Sequence, residues 1–138
     1  METAIENVQN SYVRCCQDKE FIKKFYRRFL KQSNEIWVMF EYTNWNRQRE
    51  LLKTALKSVI LYAANPESEK VRGHMLALGK SHSSEGLNVK PIFYPMWAES
   101  MIHTIKERDP EYTDELGKEW LSILTPAIEL MISKYKKI

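Results

Sequence analysis

The chain is poor in the residues that most often punctuate or staple a small fold. Its 138 residues include two cysteines, four glycines and five prolines. The cysteines, Cys15 and Cys16, are neighbours, and adjacent cysteines do not make a disulfide framework. They read as reduced thiols on a helix of a cytoplasmic protein. No Asn-Gly or Asp-Gly pair signals a hairpin, and no stretch alternates apolar and polar residues as a half-buried strand does. No apolar run is long enough to span a bilayer. Met1-Glu2-Thr3-Ala4 has neither the basic start nor the apolar stretch of a secretion signal. Charge of one sign is scarce as well: 21 Lys and Arg against 18 Asp and Glu leave +3. The excess is small and unblocked, so neither nucleic acid nor a membrane is an expected partner. Lys134, Lys136 and Lys137 crowd the C-terminal side of the last helical stretch, where cations complement the helix dipole.

Conventional catalytic motifs are absent too. With three histidines in all, there is no His-Glu-x-x-His element, no Cys-x-x-Cys pair and no glycine-rich phosphate loop. Redox chemistry here would need a cofactor.

What the sequence has in abundance is helical periodicity. Ile5, Val8, Tyr12 and Cys15 or Cys16 share one face of a first helix over 4–16. Asp18 offers a side-chain cap, and Phe21 to Leu30 then places Phe21, Ile22, Phe25, Tyr26, Phe29 and Leu30 on one stripe. Ser33-Asn34 breaks that helix, and a short helical turn runs to Phe40. Glu41 to Asn46 reads as a loop. Helix resumes with Leu51, Leu52, Ala55, Leu56, Val59 and Ile60 inward, until Asn65-Pro66 ends it. A fifth helix begins near Glu67 or Ser68, turns Val71, Met75, Leu78 and His82 inward, and closes at Gly86 as a C-cap. Pro91 fits the first turn of the next helix, which carries Phe93, Tyr94, Trp97, Met101 and Ile105. Asp109-Pro110 stops it. Thr113 caps the last helix, whose stripe is Leu116, Trp120, Leu124, Ile128, Met131 and Tyr135, with Pro126 inside. These stretches predict an all-α chain with residues 1–138 in one domain.

His82 is the unusual residue of those stripes. An imidazole on an apolar helix face is either a hydrogen-bonded core residue or a metal ligand. Its position on one helix does not separate the two.

The order of several short motifs does bear on it. Phe25-Tyr26 falls in the second helix, and Asn34 to Phe40 forms a short third helix ending in phenylalanine. Gln48 and Leu52 follow, four residues apart. His82-Ser83-Ser84-Glu85-Gly86-Leu87 comes next, then Tyr94-Pro95 and Trp120. From end to end this series resembles the bacterial single-domain globins. The resemblance implies a globin fold of about seven helices around a haem pocket. It implies haem b as cofactor, with His82 as ligand to the iron. Tyr26 and Gln48 would face bound gas, and Phe29, Phe40, Leu52, Leu56, Leu78, Phe93, Trp97 and Ile128 would line the ring. Tyr26 reads alternatively as an aromatic core residue, and Gln48 as a solvated helix residue. The last helix offers no obvious glutamate to partner His82. The implied partners are diatomic gases: oxygen, with nitric oxide or carbon monoxide as others. The function that follows is reversible gas binding for transport, storage or sensing. The alternative is nitric oxide dioxygenation, which would require an external reductase.

Overall fold

The stripes repeated every three or four residues become the inner faces of seven α-helices in a computed structural model, which describes residues 2–136. They are α1 (Glu2–Cys16), α2 (Phe21–Leu30), α3 (Asn34–Met39), α4 (Trp45–Ala64), α5 (Glu69–His82), α6 (Phe93–Arg108) and α7 (Asp114–Ser133). Among the described residues there is no strand. Lys137 lies outside them, and Lys134 is the C-cap of α7.

Side-chain caps start most of these helices. Ser33, Asn44, Ser68 and Thr113 accept from the backbone N–H groups of Glu35, Arg47, Val71 and Leu116. Each such cap contributes about 1 kcal/mol. At α2 the expected cap is displaced: Asp18 Oδ1 accepts from Glu20 N (2.9 Å) and so holds the turn ahead of the helix, leaving Glu20 as an N-cap with no side-chain bond. Pro95 sits within the first turn of α6, where no intrahelical donor is lost, while Pro91 precedes that helix.

Four further expectations need correction. The loop after Phe40 is shorter than expected, because Asn44 caps a helix that already includes Trp45. Leu51 is half exposed (50%), since Leu52 takes the inward position and consecutive residues on a helix lie about 100° apart. Tyr135 lies past the end of α7 and is not part of its stripe. Gly86 is not the C-cap of α5, which ends at His82 with Ser83 as cap.

Gly86 matters for another reason. Residues 83–89 fold back over the end of α5. Leu87 N–H donates to the Ser81 carbonyl and Val89 N–H to that of His82, both at 2.9 Å, so carbonyls that a helix end leaves open are satisfied. A Cβ at Gly86 would lie 2.3 Å from the Ser81 oxygen, so only glycine fits this close approach. The left-handed residue of the segment is Asn88 (φ 56°). The chain beyond α7 fastens the segment from outside: Ser84 N–H donates to the Tyr135 carbonyl (2.7 Å), and the Tyr135 hydroxyl donates to Asn88 Oδ1 (2.6 Å).

Helix α7 is the hub. It packs against α1, α4, α5 and α6, while α2 packs on α6 and α3. Trp120, Ile123 and Leu124 of α7 are fully buried with Phe21, Phe25, Met101 and Ile105. One polar chain threads this apolar core: Trp120 Nε1 donates to Ser11 Oγ (2.9 Å), which donates to Asp109 Oδ2 (2.6 Å), and Arg14 Nε donates to Asp109 Oδ1 (2.7 Å).

Candidate functional site

The inward stripe of α2 buries Tyr26 to 5% exposure and surrounds it with rings. Phe25, Trp45 and Phe40 stand with centroids 5.0, 5.0 and 5.8 Å from it, all edge to face. Phe29 meets Phe40 at 6.3 Å, and Trp97 meets Phe25 at 5.8 Å. Gln48 comes to this cluster from the first turns of α4, and its Nε2 donates to the Tyr26 hydroxyl oxygen at 3.0 Å. The cluster therefore unites Tyr26, Phe29, Phe40, Gln48 and, through Phe25, Trp97.

The direction of the Gln48 bond has a chemical result. The phenol oxygen serves as acceptor, and its own O–H has no acceptor among the described residues. Burial pushes the Tyr26 hydroxyl up to about 12, against a smaller downward pull from Gln48, so it keeps that hydrogen at any ordinary pH. The pocket side of α2 thus carries a protonated, unspent donor in apolar surroundings.

His82 offers the complementary group. Its Nδ1 lies 2.9 Å from the Leu78 carbonyl and 3.0 Å from Ser81 Oγ. The Ser81 hydroxyl gives its hydrogen to that same carbonyl (2.8 Å), so its oxygen can only accept from the ring. Both contacts therefore put the ring hydrogen on Nδ1 and leave the Nε2 lone pair free. Burial disfavours the imidazolium and holds His82 below the usual histidine range, although the Leu78 bond opposes it. A neutral imidazole with one nitrogen oriented by a carbonyl is the form that ligates a metal. Among the described residues no carboxylate bonds to it.

The helices that carry Tyr26 and His82 are held apart. α5 packs on α4 and α7, and it makes no substantial contact with α2. Leu78 is joined to His82 by the backbone bond. Leu52 and Phe93 are buried in the common core, while Leu78, Trp97, Ile128, Phe40 and His82 keep part of their surface uncovered. No ring pair or hydrogen bond ties Leu52, Phe93 or Ile128 directly to Tyr26 or His82. His74 and His103 are exposed on α5 and α6. Among the described residues no group of three or more His, Cys, Asp or Glu could hold a metal ion. A metal that arrives inside a larger ligand needs fewer protein groups, and the neutral imidazole of His82 is one such group. The set of one neutral imidazole, an aromatic and aliphatic lining, and a protonated phenol fits a haem.

Comparison with known proteins decides the family. No family model matches the chain. It is 30% identical over 118 residues to a flavohemoprotein of Oceanobacillus iheyensis, an alignment that covers 84% of this chain and 28% of that protein. It superposes with a TM-score of 0.91 and 30% identity on the crystal structure of a Pseudomonas aeruginosa PAO1 protein. That protein is described as structurally highly homologous to a human hemoglobin, and the match covers 97% of this chain and 99% of that one. The chain belongs to the bacterial globins. Its all-α globin fold is as the sequence implied. The chain spans 28% of the length of the flavohemoprotein that it matches.

One residue of this globin's aromatic cluster escapes the sequence reading. Trp45 stacks on Phe40 (5.7 Å, 18° between planes) and meets Tyr26 edge on. Read as part of a loop, it had no face to point from. The available signal was Asn44, an N-cap type directly before it.

Proposed function

We propose that this globin, acting as one domain over residues 1–138, holds haem b through His82 Nε2 and reversibly binds a diatomic gas, oxygen foremost, for transport, storage or sensing. The observation that carries the reading is the Tyr26 hydroxyl, buried, protonated and without an acceptor while Gln48 donates to its oxygen. Bound haem would supply a ferrous iron with one open position for the gas. The protein's own part is to orient the imidazole through Leu78, to keep water away with Phe29, Phe40, Leu52, Leu78, Phe93, Trp97 and Ile128, and to offer the Tyr26 hydrogen. A dioxygen ligand that gains partial negative charge is a fitting acceptor, and a donor in a dry pocket acts more strongly than in water. The free thiols Cys15 and Cys16 are compatible with a cytoplasmic place, and no helix among the described residues is long and apolar enough to cross a membrane.

Reconstitution with haemin tests the iron ligand. The wild-type chain should take up haem with a Soret band, and His82→Ala should lose the band or shift it strongly while retaining its helical circular dichroism. An unchanged ferrous carbonmonoxy spectrum and unchanged haem retention in that variant would remove His82 from the role.

The family resemblance of the sequence carries a second reading, nitric oxide dioxygenation. Bound haem would supply the one electron by which nitric oxide and dioxygen become nitrate, and an external reductase would have to restore it. Catalytic nitrate formation in the presence of a reductase, and its absence without one, separates this reading from simple gas binding.

A further inference from the structure

On the outer side of the Tyr26 cluster, where α2, α3 and α4 meet, the surface opens into a cleft of about 350 Å³. Its walls include Tyr26, Phe40, Trp45 and Trp37. Phe40 and Trp45, stacked almost parallel, both contribute to its lining. Trp37 is 57% exposed and stands outside every ring pair of the cluster. An indole left that open on a small helix is the kind of surface a planar ligand covers.

The mouth of the cleft has a sign. Lys23, Arg27 and Arg49 line it against Glu41 alone. Arg49 bonds to the Asn46 amide oxygen (2.6 Å), which leaves its charge uncompensated. Lys23 has only a loose pair with Glu20 at 3.8 Å. Arg27 has no ion pair among the described residues. Aromatic walls with a net cationic rim suit a flat apolar body that carries one anionic group. The volume falls at the small end of ligand pockets, enough for one or two fused rings.

We propose that this cleft is a binding site for a small aromatic carboxylate, and that its occupancy acts on the gas site through Tyr26. The carboxylate would lie among Arg27, Arg49 and Lys23, with the ring against Trp37 and the Phe40–Trp45 stack. Tyr26 is shared: one side of it forms cleft wall, while its hydroxyl is held by Gln48. A ligand seated on Phe40 and Trp45 would brace the two rings that meet Tyr26 edge on and so hold its hydroxyl in place. The binding half stands without haem. The effect on gas rests on the reading of Tyr26 given above.

Isothermal titration calorimetry of the ferrous carbonmonoxy holoprotein with 2-naphthoate tests the site, because the iron position is already filled. Saturable one-to-one binding is expected, with 2-naphthamide weaker. The rim double variant Arg27→Glu/Arg49→Glu should lose roughly tenfold in affinity, or about 1.4 kcal/mol, as attraction becomes repulsion. No saturable heat, equal binding of the neutral amide, or indifference to the charge reversal overturns the site. With the site filled, the oxygen off-rate should fall by roughly fivefold, the low end of ordinary coupling between sites. Binding with an unchanged off-rate overturns the effector role. A failure of Tyr26 itself as donor is read separately, from the Tyr26→Phe variant without naphthoate.

Discussion

With Gln48 donating to its oxygen, Tyr26 has one hydrogen left to give, and the apolar rings around it accept none. A hydrogen bond to a partly charged acceptor contributes about 1.5–3 kcal/mol net. Differences of this kind appear mainly in dissociation. Tyr26→Phe should therefore raise the oxygen off-rate roughly ten- to a hundredfold, at 1.4 kcal/mol per tenfold. Carbon monoxide is the weaker acceptor, and its off-rate should change far less. Stopped-flow displacement of both gases is the measurement; equal oxygen off-rates in wild type and variant would reduce Tyr26 to packing and make Gln48 the leading donor. Because burial holds the phenol protonated to about 12, the difference between wild type and variant should persist unchanged across neutral and moderately alkaline pH.

Helix α4 sets two leucines side by side and gives them opposite fates. Leu52 is 6% exposed and Leu51 is 50% exposed. Leu52→Ala should cost about 2–4 kcal/mol through lost burial and a cavity. Leu51→Ala, away from the core, should stay within about 0.5 kcal/mol. Urea denaturation of both variants fixes the rotational phase of α4, and a reversed ranking would mean that Gln48 does not face Tyr26. The sequence carries much at this scale. The Phe21–Leu30 stripe, the Asn65-Pro66 and Asp109-Pro110 stops and the Thr113 cap are local signals, and the helices follow them. Adjacent apolar residues such as Leu51 and Leu52 are not resolved by periodicity, since a one-residue rotation decides which is buried. Trp45 stayed hidden because polar and aromatic neighbours resemble a loop until a cap is recognised. The site is legible as residue types in order, yet the Tyr26–Gln48 bond joins residues on separate helices, and the Nδ1 hydrogen of His82 depends on where Leu78 and Ser81 point. Those are facts of packing that no motif contains.

Across the whole molecule, Asp109 joins α1 to α7 through Ser11 and Trp120 and neutralises Arg14, while only 3% exposed. Burial alone would raise its carboxyl, but the bonds from Arg14, Ser11 and the Glu111 N–H outweigh burial and hold it below the ordinary 3.8. A carboxylate so lowered stabilises the fold above its unfolded value, and that contribution is lost as pH falls through the lowered one. Asp109→Asn should cost about 2 kcal/mol at neutral pH, less than the 3–5 kcal/mol of a fully buried broken pair. The reason is that Arg14 keeps 22% of its side chain in water. The cost should shrink as pH falls below about 4, where the unfolded chain takes up a proton at this position before the folded one does, and it should vanish once pH has passed the lowered folded value; a denaturation series with a constant difference down to pH 2 would rule this out. The clasp between Ser84, Asn88 and Tyr135 has a consequence for how the protein is made. On the ribosome, His82 precedes Tyr135 by roughly three to ten seconds at common elongation rates. Through that interval α5 lacks α7 to lie on, and the segment after His82 has nothing to fasten it. Haem met by a growing chain would find an imidazole whose surroundings are unfinished, so capture should favour the chain only once translation has passed the clasp.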